Sequence, residues 1–473
     1  MSSLVDPEEF RAALHRVADW VADYREGLGD RPVRRPSLRP GELNEALPEA
    51  APATSEPLDD VLSDLDRLVV PGLVHWQHPS FFGYFPSNAS PASVLAELVA
   101  AGLGVNAFSW ESSPAATELE QVVVEWMAEA LGLPDRLRWA SGGGGVIQDS
   151  ASSATLSVIV AAREHALAQG AERGRLVAYT SAEAHSSVAK GMRVAGFKAE
   201  SLRLVPTDDA WAMDPRRLRD LVEADLAAGL HPFCVIATSG TTTSMAMDPL
   251  RAIVEVGEAH GLWVHVDAAM AGIAALCPEL RWVLDGIERV DSWSTNPHKW
   301  MGAQLDCTLL FVADRARLVD ALEIEPAYLR RRSADGGVEV PDFRNWQVPL
   351  GRRFRALKLF FVLRLEGLPA IQAMIRRHVE LAAELAEQVA SSQNLELAAP
   401  PRLGLVCLRH RAGPKATEAL ARKANESGRA LFTQSVLGKE PILRVSIGSL
   451  STERKHVLSA LELLEEVATE VVG

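Results

Sequence analysis

Cys234-Val-Ile-Ala-Thr238, the stretch Leu250–His260 and Trp263-Val-His-Val-Asp267 decide the fold of this 473-residue chain. Two short apolar, β-rich runs flank a stretch of helical length, which reads as strand, helix, strand. Working outward, Leu176–Thr180 and Thr308–Val312 read as further buried strands, and Ala154–Ala168 and Pro215–Ala228 as helices. Strand–helix alternation sustained over roughly 200 residues implies an α/β sheet that is mostly parallel. After Arg364 the pattern changes to a long helix through about Ser391, strand-like runs at Leu403–Arg409 and Ile442–Ile447, and a last helix from Thr452. Before the α/β region, Asp6-Pro7 with Glu8 and Glu9 opens a helix carrying Phe10, Leu14, Val17 and Val21 on one face. A proline-rich extended segment over Arg31–Pro57 and a helix at Leu58–Leu68 follow. The organisation read from this is an N-terminal helical and extended segment at 1–85, a large α/β domain at 86–363 and a small α+β domain at 364–473.

Composition narrows the function classes. Hydrophobic residues make 48% and charged residues 23%, too apolar for a disordered chain. A net charge of −14 disfavours a general nucleic-acid or anionic-membrane surface. Cys234, Cys277, Cys307 and Cys407 are scattered, without metal-ligand spacing, and read as reduced core residues. The start, MSSLVDPEEFR, has no secretory signature, and the apolar stretch Gly261–Cys277 is broken by His265 and Asp267. A cytoplasmic protein without a membrane span is the expectation.

The chemistry concentrates in a few runs. Ser141-Gly-Gly-Gly-Gly145 leads through Gln148-Asp149 to Ser150-Ala151-Ser152 and a helix. Free N–H groups at a helix start suit an anion, yet the run lacks the GK[ST] ending and the dinucleotide glycine pattern. Alone it reads first as a structural turn. Thr238-Ser-Gly-Thr-Thr-Thr243 places hydroxyls after a strand, where open α/β sheets hold ligands. Asp267, delivered by a strand, is costly to bury unless a cation meets it. Lys299, within Ser294-Thr-Asn-Pro-His-Lys-Trp300, sits between His298 and Trp300 rather than on a solvated face, as a lysine poised to bind a carbonyl would. His185, in Ala184-His-Ser-Ser-Val188, follows a strand. An amine for an aldehyde, a carboxylate for a pyridinium and a cradle for a phosphate are the three needs of pyridoxal 5'-phosphate. No metal motif occurs.

The chain resembles the group II pyridoxal-phosphate-dependent amino-acid decarboxylases, closest to the aromatic-L-amino-acid decarboxylases. The likeness runs from about Phe10 to Leu463. It rests on His78-Pro-Ser-Phe-Phe-Gly-Tyr-Phe-Pro86, Phe108-Ser-Trp110, Ser113-Pro114 with Thr117-Glu-Leu-Glu120, Gly144-Gly-Val-Ile-Gln148, His265-Val-Asp-Ala-Ala269, Asn296-Pro-His-Lys-Trp300 and Leu350-Gly-Arg-Arg-Phe-Arg355. It implies the fold type I architecture of pyridoxal-phosphate-dependent transferases and a homodimer sharing its active sites. By the same resemblance Lys299 carries the cofactor aldehyde, Asp267 pairs with the ring nitrogen and His185 stacks on the ring. Ser150, Ala151, Ser152, Asn296 and His298 hold the phosphate, Thr242 and Ala269 line the cofactor, and Tyr328, on a loop, donates a proton. Two positions depart from the pattern: Asp149 where glycine is usual, and Met270 where tyrosine is common.

The resemblance further implies decarboxylation of aromatic L-amino acids, tryptophan and 5-hydroxytryptophan ahead of DOPA, tyrosine and phenylalanine. Trp76, Phe85, Ser87, Asn106, Phe108 and Gly351 are the residues available to the substrate. Relatives that act on histidine or phenolic substrates often carry serine at the position of Gly351. The nearest rival is an aldehyde synthase on the same scaffold, many of which have phenylalanine where Tyr328 stands. A catalytically silent binding protein is the reading from outside enzymology, opposed by the presence of Lys299, Asp267, His185 and Tyr328.

Overall fold

The computed structural model describes residues 6–35, 39–324 and 340–472. Twelve strands occur among them: β1 (Phe81–Phe82), β2 (Gly144–Gln148), β3 (Leu176–Ser181), β4 (Leu202–Val205), β5 (His231–Thr238), β6 (Trp263–Asp267), β7 (Ser292–Thr295), β8 (Thr308–Val312), β9 (Leu395–Leu397), β10 (Leu405–His410), β11 (Leu431–Leu437) and β12 (Glu440–Ser446). By proximity the chain divides into two compact units: 1–86 with 385–398 and 408–473, and 87–384 with 399–407.

The larger unit holds a seven-stranded sheet in the order β2-β8-β7-β6-β5-β3-β4. Strands β4, β3, β5, β6 and β7 are parallel to one another. Only β8 runs against the rest, antiparallel to both β7 and β2, so β2 points the same way as the parallel block. The carboxyl ends of β2, β3, β5, β6 and β7 therefore share one edge, where open α/β sheets bind ligands. The central strands are buried along their whole length, as expected of a sheet covered on both faces. Helix Ala151–Ala168 lies against β6, β7 and β8, with Ala154, Val158, Ala161 and Ala162 packed among Ile236, Trp263 and Leu310. The small alanines let the helix approach closely, which brings its N-terminus to the ligand edge.

The smaller unit contains a sheet ordered β1-β11-β12-β10-β9. Here Phe81 and Phe82 pair in parallel with Leu431 and Phe432, joining sequence that lies far apart. Helix Pro7–Glu26 starts as its sequence requires: the Asp6 carboxylate accepts the N–H groups of Glu8 and Glu9, and proline fills the first turn. The Arg31–Pro57 segment is less extended than its prolines imply, because Glu42–Ala46 makes a short helix after Gly41. The helix expected at Leu58–Leu68 is α-helical only to Asp64 and continues as a π-turn over Leu65–Val69.

The glycine run settles as packing. A Cβ at Gly145 would lie 2.6 Å from a Val124 methyl and 2.7 Å from the Phe311 ring, and one at Gly143 would sit 2.2 Å from the Arg136 carbonyl oxygen. These glycines let β2 lie against β8; the anion-binding groups begin only at Ser150.

Candidate active site

Asp267 closes β6 in register with Thr238 on β5 and Ser294 on β7. It is 5% exposed, and one carboxylate oxygen accepts the Ala269 N–H at 3.0 Å. The second oxygen forms no hydrogen bond among the described residues.

Lys299 arrives from the neighbouring strand. β7 ends at Thr295, Asn296 turns the chain, and Pro297 starts the single helical turn Pro297–Trp300. Trp300 anchors that turn: it is fully buried, and its indole N–H donates to His378 at 2.9 Å. Asn88 clamps the turn from outside, its side-chain amide donating to the Lys299 carbonyl at 2.8 Å and its backbone N–H to the His298 carbonyl at 2.9 Å. The His298 ring is tied through Nδ1 to the Cys307 backbone at 2.7 and 3.1 Å. Burial, helped by the adjacent Lys299 charge, holds that ring down at about 4, so it is neutral. The Asn296 side-chain oxygen accepts the Thr308 hydroxyl at 2.9 Å, which turns its NH2 away from Thr308.

His185 follows β3. Its Nδ1 lies 2.9 Å from the Ser187 hydroxyl and accepts the Ser187 backbone N–H, which leaves the ring hydrogen on Nε2. One side of the ring is open to solvent, while the protein around the other side lowers its pKa; Asp267 opposes this shift and Lys299 adds to it. The charges of Asp267 and Lys299 thus both reach His185.

Ser150 caps helix Ala151–Ala168, its hydroxyl accepting the Ser153 N–H at 3.2 Å. The N–H groups of Ala151 and Ser152 are then available to an anion, as the sequence expects. Asp149 stands beside this cap and accepts the Ser150 hydroxyl at 3.2 Å. Its charge is felt by Arg355, whose guanidinium pairs with Asp306 at 2.9 and 3.1 Å. Thr242 and Ala269 lie partly exposed on the same strand edge, and Met270 is buried.

Of the substrate candidates, Asn106 and Gly351 come together, because the Arg352 N–H donates to the Asn106 side-chain oxygen at 2.9 Å. Phe108 is adjacent, partly buried. Ser87 also belongs to the larger unit, whereas Trp76 and Phe85 belong to the smaller one. There Trp76 stacks on Tyr84 at 5.3 Å, and Arg444 lies 5.0 Å over the Phe85 ring. Tyr328 and most of its loop lie outside the described residues.

The sequence reading missed several supports. Arg352 and Glu120 form a buried pair at 2.6 and 2.9 Å, and Arg352 also donates to the Ile147 and Ala107 carbonyls. Asp248, fully buried, accepts the N–H groups of Thr238 and Met213, and burial lifts it to about 6. Nothing local marks Asp248 or Asn88; Glu120 and Arg352 stood inside quoted motifs, and their pairing was the missing information.

Comparison with known proteins agrees with this geometry. Residues 40–411 match the family model described as the pyridoxal-dependent decarboxylase conserved domain. Phenylacetaldehyde synthase of Arabidopsis thaliana is 41% identical, over 98% of this chain and 97% of its own. Tyrosine decarboxylase 2 of Narcissus pseudonarcissus is 40% identical, over 98% and 95%. Among solved structures, Oryza sativa TDC with PLP and tryptamine superposes with a TM-score of 0.96 at 39% identity, covering all of both chains.

Proposed function

The chain belongs to the pyridoxal-dependent decarboxylase family, and from that premise we propose that it removes the α-carboxyl group of aromatic L-amino acids to give the arylalkylamine and CO2. The observation that carries the reading is the convergence of Lys299, Asp267 and His185 at one edge of the parallel sheet. The donor set fits pyridoxal 5'-phosphate: a primary amine, a buried carboxylate with one oxygen uncommitted, a flat ring with a lowered pKa, and a capped helix start. When bound, the cofactor supplies an aldehyde for the substrate amine and a protonated ring that accepts the electrons released with CO2.

The protein's own residues do the rest. Lys299 would hold the aldehyde between turnovers. Asp267 would keep a proton on the ring nitrogen, since an opposite charge favours the charged form. His185 offers a neutral face to the ring, consistent with its lowered pKa. Tyr328 returns a proton to the substrate α-carbon. An apolar patch supports the proposed homodimer: Phe10, Leu14 and Val17 lie exposed along helix Pro7–Glu26, none of whose residues is buried, and a second copy would cover such a stripe. A cytoplasmic setting fits four buried cysteines that form no disulfide, and no helix among the described residues is long and apolar enough to cross a membrane.

Tryptophan and 5-hydroxytryptophan are the favoured substrates, followed by DOPA, tyrosine and phenylalanine. Gly351 supports this order, because nothing lies within 4 Å of where its Cβ would be and it leaves room for a large ring without offering a hydroxyl. An aldehyde synthase, which couples decarboxylation to oxidative deamination, is the second reading, favoured by the 41% identity to one; Tyr328 speaks for simple decarboxylation. The test is kcat/KM for these acids, with glutamate and histidine as controls, in the parent and Gly351→Ser. Preference for glutamate or histidine in the parent, or an unchanged profile in Gly351→Ser, would overturn the substrate assignment.

A further inference from the structure

His265 precedes Asp267 by two positions on β6, so both side chains leave the same face of the sheet, with Cβ atoms about 6–7 Å apart at ~3.3 Å per residue. It is fully buried. Its Nδ1 lies 2.9 Å from the hydroxyl of Ser292, its register partner on β7. The same hydroxyl oxygen accepts the Trp263 indole N–H at 2.9 Å. Ser292 is also fully buried, and its hydroxyl has no further hydrogen-bond partner among the described residues. If it accepted from both rings, its own hydrogen would be stranded at a cost of ~1–3 kcal/mol. Accepting from Trp263 and donating to His265 leaves no part of the Ser292 hydroxyl unpaired. The His265 hydrogen is then on Nε2.

That Nε2 is buried without a protein partner, as is the Ser294 hydroxyl opposite Asp267 on β7. Burial holds the ring neutral, down at about 4, with the Asp267 charge and the Ser292 backbone opposing. A neutral ring with a fixed N–H therefore sits within the electrostatic reach of Asp267, and the proposed chemistry assigns it no role.

We propose that His265 is a positioning residue for Asp267: Trp263 and Ser292 fix its Nε2–H tautomer, and that N–H dipole keeps the carboxylate oriented toward the cofactor's ring nitrogen. The inference rests on the reading that Asp267 meets that nitrogen. It predicts a graded pattern that mere filling of the core would not produce. Retaining an N–H donor at 265 preserves the effect, removing the Ser292 hydroxyl weakens it, and removing Asp267 abolishes it.

The experiment measures the pyridoxal 5'-phosphate dissociation constant of the full-length protein, with the apoprotein melting temperature in parallel. The variants are His265→Phe, His265→Gln, Ser292→Ala and Asp267→Ala, together with His265→Phe and Ser292→Ala on the Asp267→Ala background. His265→Phe should weaken binding about tenfold and His265→Gln less than about threefold, with Ser292→Ala between them. On the Asp267→Ala background either change should add less than about twofold. Ser292→Ala removes a single hydroxyl and decides the matter should His265→Phe fail to fold. A lowered melting temperature with cofactor affinity unchanged would overturn the role of His265 while leaving that of Asp267 intact, and so would an effect that persists undiminished without Asp267. Asp267→Ala with unchanged cofactor affinity would overturn the underlying reading, and the inference with it.

Discussion

Glu120→Gln isolates the interaction that ties the glycine strand to the substrate-side loops. Both side chains of the Glu120–Arg352 pair are 1% exposed. One Glu120 oxygen accepts the Ile147 N–H at 2.9 Å and Arg352 at 2.6 Å, and the other accepts Arg352 at 2.9 Å. Glutamine keeps one acceptor and turns an NH2 toward a guanidinium that can only donate, so a buried cation loses its counter-charge. Breaking such a pair from one side costs about 3–5 kcal/mol. The remaining bonds from Arg352 to the Ala107 and Ile147 carbonyls stay in place and place the loss at the lower end of that range. The assay is urea unfolding of the holoenzyme at fixed protein and cofactor concentration, since ligand binding shifts apparent stability. A double variant, Glu120→Met with Arg352→Met, should lose less than the two single changes together, because neither charge is stranded. A Glu120→Gln protein within about 1 kcal/mol of the parent would refute the reasoning. Because Arg352 also fixes Asn106 beside Gly351, KM for aromatic substrates should rise more than the cofactor dissociation constant.

Lys299→Ala should abolish turnover, the absorbance near ~420 nm of a lysine-bound pyridoxal cofactor, and the covalent labelling that borohydride reduction of that linkage leaves; persistent labelling would show that another lysine carries the aldehyde. Tyr328→Phe should suppress amine formation and divert product toward aldehyde, ammonia and peroxide, read by peroxide assay; amine at the parental rate would move the proton donor to another group, His185 first. The His298 ring is neutral in the fold, at about 4 against an ordinary 6.5. Its contribution to stability is complete above about 6.5 and is lost as pH falls through 4, by at most about 3 kcal/mol. Apoprotein unfolding measured across that window should therefore flatten in His298→Asn, and an unchanged slope would count against a buried neutral ring.

The large sheet was legible because its strands are short, apolar and β-branched: Trp263–Asp267 and Thr308–Val312 form over the residues read from the sequence. β2 was not, because glycine has weak strand preference, and only the tertiary neighbours Val124 and Phe311 explain why a side chain is excluded there. The small sheet was half visible. β1 is two residues long and pairs with β11 across most of the chain, a contact no local pattern encodes. Lys299, Asp267, His185 and the Ser150 cap were legible as residue types following strands. Their supports, Asn88, Asp248 and the Glu120–Arg352 pair, were not, since each depends on which distant backbone group it meets.

The most direct test of the central claim is the stoichiometry of CO2 and amine from L-tryptophan, measured together with peroxide in air-saturated buffer. Simple decarboxylation requires one tryptamine for each CO2 and no peroxide. CO2 accompanied by aldehyde and peroxide in place of tryptamine, or no CO2 at all from any aromatic acid, would contradict it.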